Sequence, residues 1–355
     1  MLTIDASKSS PGRASSASRT RLLLLVGLLV TCVPVALSPA RPASASTPLA
    51  LGAIIDNPCD GAALDTYASL VGRMPALVMN YQSWGEYWNS FPTRCMDTAW
   101  ARHSMMVWTW DSNAGNDTDP QYKDSAIAAG TNLLPANTQS GAISFDTYVT
   151  QWALAAKAWG HPFFLRFDHE MNGNWYGWGT GPGNPLGNTP DDFVAAWRHV
   201  QDIFAAVGAT NVRWVWAPNT LSHSSPLDTT LADYPGDDYV DQTGFSAYNT
   251  GATGQWHEWV SLASLSTPIY NALTQLTTKP VMLCETASAE PGGDKAAWIT
   301  QGLLTDLPSL FPRIDAVVWF DKDKETDWRV DSSFASLSAF RSVVASPLYQ
   351  GEGAG

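Results

Sequence analysis

Apolar runs six or seven residues long recur along the chain, separated by stretches that are loop-like or that carry apolar positions at helical spacing. Eight runs have strand length: 49–55, 76–81, 104–110, 162–167, 212–218, 243–248, 280–285 and 316–321. Between them, 145–159 and 193–207 place apolar residues every three to four positions, the period of a helix with one buried face. The second helix carries boundary signals as well: Thr189 as N-cap, Pro190 at the first position, Asp191 and Asp192 in the first turn and Gly208 as stop. Strands alternating with helices predict an α/β fold with a parallel sheet, and eight of them predict a single-domain (β/α)8 TIM barrel. In such a barrel the reacting groups sit where strands end at the C-terminal face, so polar residues that close an apolar run are the candidates for chemistry.

The N-terminal segment does not belong to this pattern. Arg19 and Arg21 precede the apolar run 22–37, which is short for a membrane span, and small residues follow up to Ala45. This reads as a secretory signal peptide over residues 1–45, with Cys32 inside it and an uncleaved anchor as the alternative. Residues 46–349 then form the catalytic domain, and 350–355 read as a frayed tail. Without the leader, 15 basic face 32 acidic side chains, a net charge of −17. Such a surface repels nucleic acid and anionic membrane, and suits a neutral polymer that needs no electrostatic steering.

Three cysteines remain. In an oxidising compartment Cys59 and Cys95 are the expected disulfide, and Cys284, within an apolar strand, is expected as a buried free thiol. Strict alternation would point Cys284 away from its neighbour Glu285, into the layer between sheet and helices. No Cys/His spacing reads as a zinc site. The loop DSNAGNDTDP (111–120) is dense in oxygen ligands but lacks EF-hand spacing, so it reads as a solvated loop and no metal is expected.

The chemistry concentrates in FFLRFDHEMNGNWYGW (163–178) and KPVMLCETAS (279–288). Of seven glutamates, only Glu170 and Glu285 sit where a strand-length apolar run gives way to a loop. The wording HEMNGNW resembles the acid/base motif of glycoside hydrolase family 26, retaining β-glycanases on (β/α)8 barrels, and KPVMLCETAS looks like that family's nucleophile strand. The resemblance implies Glu170 as acid/base after strand four and Glu285 as nucleophile on strand seven, with no cofactor. A retaining pair needs its carboxyl groups about 5–5.5 Å apart, one ionised and one protonated.

Supporting roles follow, some from the resemblance and some from residue type and strand alternation. Tyr248 is positioned like the family tyrosine that hydrogen-bonds the nucleophile, and His169 like the histidine preceding the acid/base, with a core histidine as the alternative. Arg166 should point inward beneath the nucleophile, or else pair with Asp168. Trp175, Tyr176 and Trp178 are expected to stack on sugar, since pyranose C–H faces pack on indole and phenol rings. Trp319 matches the place of an aromatic platform at the cleavage point, or is core. Asn172 and Asn219 are candidate partners of sugar hydroxyls. Trp84, Trp110 and Trp328 lie just past other strands and would extend the cleft, and the loop 179–188 would shape one wall.

These features imply a secreted, monomeric endo-β-glycanase with a polysaccharide partner. Among family activities, β-1,4-mannan and mixed-linkage β-1,3-1,4-glucan stand level, mannan named first as the commonest; DKDKETDWRV after strand eight looks closer to lichenase-like members, and β-1,3-xylan is a further option. The rivals from other classes are a non-hydrolytic carbohydrate-binding barrel and a metal-dependent hydrolase.

Overall fold

A computed structural model describes residues 48–84, 90–113, 116–137, 141–254 and 257–349. The segments expected as signal peptide and tail, and Glu86, lie outside the described residues. Eight strands close into one parallel barrel: β1 (Ala50–Ile54), β2 (Leu77–Ser83), β3 (Met105–Asp111), β4 (Phe163–Phe167), β5 (Val212–Trp216), β6 (Gln242–Asn249), β7 (Val281–Ser288) and β8 (Ile314–Phe320). Each pairs with its neighbours in chain order, and β1 with β8 closes the ring. All eight overlap the apolar runs. A two-stranded antiparallel hairpin, Leu133–Asn137 with Gly141–Ser144, was not anticipated, because its segment has neither strand-length apolar content nor a two-residue turn signal.

The helices pack outside the ring: α1 (Gly61–Val71), α2 (Thr93–Trp100), α3 (Phe145–Trp159), α4 (Pro190–Val207), α5 (Leu227–Ala232), α6 (Leu262–Leu276), α7 (Lys295–Ile299, continuing through π-helical turns at Thr300–Asp306) and α8 (Phe334–Ala345). Helix α4 begins with a reciprocal cap, in which Thr189 accepts from the Asp192 amide while Asp192 accepts from the Thr189 amide, and Gly208 ends it at φ 75°. The Cys59–Cys95 disulfide ties the β1–α1 loop to α2.

Tryptophan fills the layer between barrel and helices. Trp110 stacks on Trp152 at 4.7 Å, and Trp84, Phe145, Phe163, Phe167, Trp197 and Phe204 continue the packing. Eleven of the fifteen described tryptophans are buried, so the high tryptophan content mainly builds the core. Trp84 and Trp110 belong to it and do not extend a cleft. Burying one such side chain contributes roughly 2–3 kcal/mol.

Cys284 corrects the alternation argument. Met282 pairs with Gly244 and Leu283 with Phe245, but Glu285, not Cys284, pairs with Ser246. One extra residue therefore bulges from β7, and both Cys284 and Glu285 face the barrel interior. A Cβ on Gly244 would lie 2.4 Å from the Cys284 sulfur, so the thiol occupies the space this glycine leaves. Burial pushes the thiol up to about 12, which keeps it protonated and inert.

Candidate active site

A cavity of about 520 Å³ opens at the C-terminal ends of the strands. Seven of the eight strand ends contribute to it: Tyr81, Asp111, His169 with Glu170, Asn219, Tyr248, Glu285 and Phe320. Tyr176 and Thr250 add from loops, and Lys322, Lys324, Glu325 and Trp328 form one wall from the loop after β8.

Glu285 is buried in the lining of the cavity, with partners on both oxygens. Arg166, on β4 and fully buried, donates Nη1 to Glu285 Oε1 and Nη2 to Ser246 Oγ at 3.1 Å. Tyr248 Oη donates to Glu285 Oε2 at 2.5 Å. Burial alone would raise this carboxyl, but the Arg166 charge, His169 and the two hydrogen bonds outweigh it and bring it down to about 2. The arginine is thus engaged with Glu285 and makes no bond to Asp168, whose Oδ1 instead accepts from the Ser112 amide at 2.8 Å.

Glu170 stands on a tight turn. Asp168 and Glu170 have φ of 41° and 55°, a left-handed conformation that non-glycine residues adopt at a cost of roughly 1–2 kcal/mol each. Neighbours over-determine the turn: the Asp168 amide donates to Trp110 O, the Glu170 amide to Ala217 O at 2.8 Å, and the Trp178 indole to His169 O at 2.7 Å. Glu170 Oε2 accepts from the Trp175 indole at 3.2 Å. Gly173 makes this fold-back possible, since a Cβ there would sit 2.4 Å from the Trp175 ring. His169 reaches Asp111 Oδ1 through Nδ1 at 3.2 Å and packs on Tyr176 at 4.8 Å.

Several expected residues lie elsewhere. Trp178 is buried behind Tyr176, stacked on it at 4.4 Å, and shows no face to the cavity. Trp319 is fully buried on the outer face of β8, packed on Trp298 and Phe340, with its indole donating to Trp328 O at 3.1 Å. Strand alternation gives the cavity to Phe320 instead. Asn172 uses its amide internally, donating to Asn219 O and Thr230 Oγ1 and accepting from the Asn219 amide at 2.8 Å, so it braces the loop after β5 and is not free for substrate. Trp175 stays beside Glu170 and is 40% exposed, available to a ligand. The loop 179–188 contributes none of the cavity-lining residues; Thr180 bonds Asp233 and Asn188 bonds Gly177 O, which makes it a brace behind the motif. The loop after β3 is likewise more than solvated, since Asp117 accepts from the Gly177 amide at 2.8 Å. Tyr81, Asp111 and Phe320 escaped the sequence reading, though each closes an apolar strand in the manner used to select Glu170.

Comparison with known proteins agrees with the barrel fold. Residues 65–283 match the model of glycosyl hydrolase family 26, more than half of the chain. The chain belongs to glycosyl hydrolase family 26. The match contains Glu170 and stops two residues before Glu285. Endoglucanase H of Acetivibrio thermocellus is 33% identical over 323 residues, 90% of this chain. The chain spans about a third of that protein's length, 33%. A mannan endo-1,4-beta-mannosidase of Bifidobacterium adolescentis is 26% identical over 138 residues, 38% of this chain and 13% of its own length. Among solved structures, a modular endo-beta-1,4-mannanase from Cellulomonas fimi superposes with a TM-score of 0.63 at 17% identity, covering 85% of this chain and 71% of that one. Bacillus subtilis mannanase man26 gives 0.57 at 15% identity, covering 83% and 85%. At these identities the superpositions establish the family 26 barrel as a fold and nothing finer. No described helix is long and apolar enough to cross a membrane.

Proposed function

We propose that this protein is a retaining endo-β-glycanase in which Glu285 attacks the anomeric carbon and Glu170 protonates the leaving glycosidic oxygen. The observation that carries the reading is that both carboxyl groups line one cavity while Glu285, and not Glu170, is hydrogen-bonded by the Arg166 guanidinium and the Tyr248 hydroxyl, which keep it ionised. A nucleophile must carry its charge before substrate arrives, and a pair of donors on its two oxygens secures that. Glu170, next to the Trp175 indole, lines the same cavity and would meet the glycosidic oxygen there. In the second half of the reaction it would deprotonate the water that releases the glycosyl group from Glu285.

For substrate, β-glucan is placed before β-mannan. Two features support this order: a likeness over 90% of the chain to a protein named as an endoglucanase, and the resemblance of DKDKETDWRV after β8 to lichenase-like members. Mixed β-1,3-1,4 linkage is the glucan proposed, with mannan second and xylan third. An extracellular site of action fits the Cys59–Cys95 disulfide and the signal-peptide reading of residues 1–45. Release of reducing sugar from mixed-linkage β-glucan, mannan and β-1,3-xylan, measured for wild type, Glu170→Ala and Glu285→Ala, tests the reading. Wild type should act on one of the three, with each variant slower by roughly a thousandfold. Equal activity in all three proteins overturns the assignment, and binding without turnover in wild type points to the non-hydrolytic barrel. Activity that a chelator abolishes would replace the two-carboxylate chemistry with a metal-dependent one.

A further inference from the structure

Lys295 is the first residue of α7 and is 1% exposed. A lysine there stands against two physical gradients, because the positive end of the helix dipole repels it and burial removes its water. Burial lowers its ammonium to about 8 even though Glu290 from the loop after β7, Asp321 from the end of β8, and Asp327 and Asp331 from the loop after β8 all favour the charge. Its hydrogen bonds offset these penalties. Nζ donates to Asp327 O at 3.3 Å, to Arg329 O at 2.8 Å and to Ser332 Oγ at 2.8 Å, using all three donors of an ammonium.

Every one of these acceptors belongs to the loop that supplies four of the fourteen cavity-lining residues. The two carbonyls flank Trp328, and the carbonyl of Trp328 itself accepts from the buried Trp319 indole. Three consecutive carbonyls are therefore drawn back toward the barrel wall. The Trp328 amide donates to Lys322 O and the Val330 amide to Asp321 Oδ1, which completes the hold on this stretch. The Trp328 ring is left facing the cavity and packs on Tyr248 at 5.2 Å, the residue bonded to Glu285.

We propose that Lys295 is a positioning residue for substrate binding: its ammonium grips the backbone on both sides of Trp328 and so fixes that ring as an aromatic wall against the sugar. This rests on the glycanase reading above, and the test separates the two. Lys295→Met keeps the length of the stem and removes the charge. Its KM for the polysaccharide should rise about tenfold, the worth of one well-placed aromatic face, while kcat changes less than about threefold. In a Trp328→Ala background the same substitution should add no further rise. Trypsin, which cuts after Lys322, Lys324 and Arg329, should cleave this loop faster in Lys295→Met than in wild type, and Lys295→Gln, retaining two donors, should fall between. The proposal is overturned by an equal KM effect with and without Trp328, by an unchanged KM with only a lowered melting temperature, or by unchanged resistance to trypsin. Should wild type cleave none of the polysaccharides, the glycanase reading fails, and the trypsin series still decides whether Lys295 holds the loop.

Discussion

Replacing Arg166 with methionine removes the one cation buried beneath Glu285 and keeps an apolar stem of similar length. In wild type the Glu285 carboxyl is brought from an ordinary 4.5 to about 2. That difference corresponds to about 3 kcal/mol in favour of the ionised form. The sign follows from linkage: a carboxyl depressed on folding contributes stability that is fully present above pH 4.5 and is lost as pH falls through about 2. Without the guanidinium, desolvation dominates, because Glu285 is 5% exposed and Tyr248 alone remains as donor. The carboxyl should then rise above 4.5, and the proposed nucleophile should be largely protonated in mildly acidic solution. The assay is kcat/KM against pH on the best polysaccharide of the panel, since this ratio reports the free enzyme. Wild type should show no acidic limb from Glu285 down to about pH 3, whereas Arg166→Met should show one above the ordinary carboxylate value of 4.5, with a tenfold loss for each pH unit below it. Tyr248→Phe, which leaves the arginine in place, should shift the limb less, by the roughly 1.5–3 kcal/mol of one charged hydrogen bond. A folded Arg166→Met protein with an unmoved acidic limb would refute the electrostatic argument.

Other outcomes follow from where the side chains lie. Trp175→Ala should raise KM and lower kcat with little change in melting temperature, because Trp175 is exposed and touches Glu170, whereas Trp178→Phe should cost about 1–3 kcal/mol in denaturant unfolding through the lost bond to His169 O, with KM nearly unchanged. Trp319→Ala should lose about 3–5 kcal/mol of stability as a core cavity; a larger effect on KM than that of Trp328→Ala would return it to the cleft. Replacing Cys59 and Cys95 by serine should lower unfolding free energy by about 4 kcal/mol without changing kcat at 25 °C, read from urea titration and initial rates.

Read by itself, the sequence determined the barrel, the strand numbering and the strand ends that carry Glu170 and Glu285. Each rests on local information: a strand-length apolar run, a helical period, a capping residue, an acid where the run stops. Arg166 facing inward followed from period-two alternation counted back four residues from Glu170, although β4 itself ends at Phe167. The disulfide was legible because only two cysteines lay outside both the leader and an apolar strand.

What the tertiary structure decided is which face each side chain shows and whether its polar atoms are already engaged. A bulge in β7 turned Cys284 inward beside Glu285, and no local signal marks a bulge that is defined by pairing with β6. Asn172 looks like a ligand for hydroxyls until Asn219 and Thr230 are seen to take its amide. Tryptophan is equally suited to sugar stacking and to filling a wide layer between sheet and helices. Its place is therefore set by packing partners distant in the chain, so Trp319 and Trp178 became core while Trp328 reached the cleft. Residue type is local, whereas orientation and satisfaction of polar groups depend on contacts that exist only once the ring has closed.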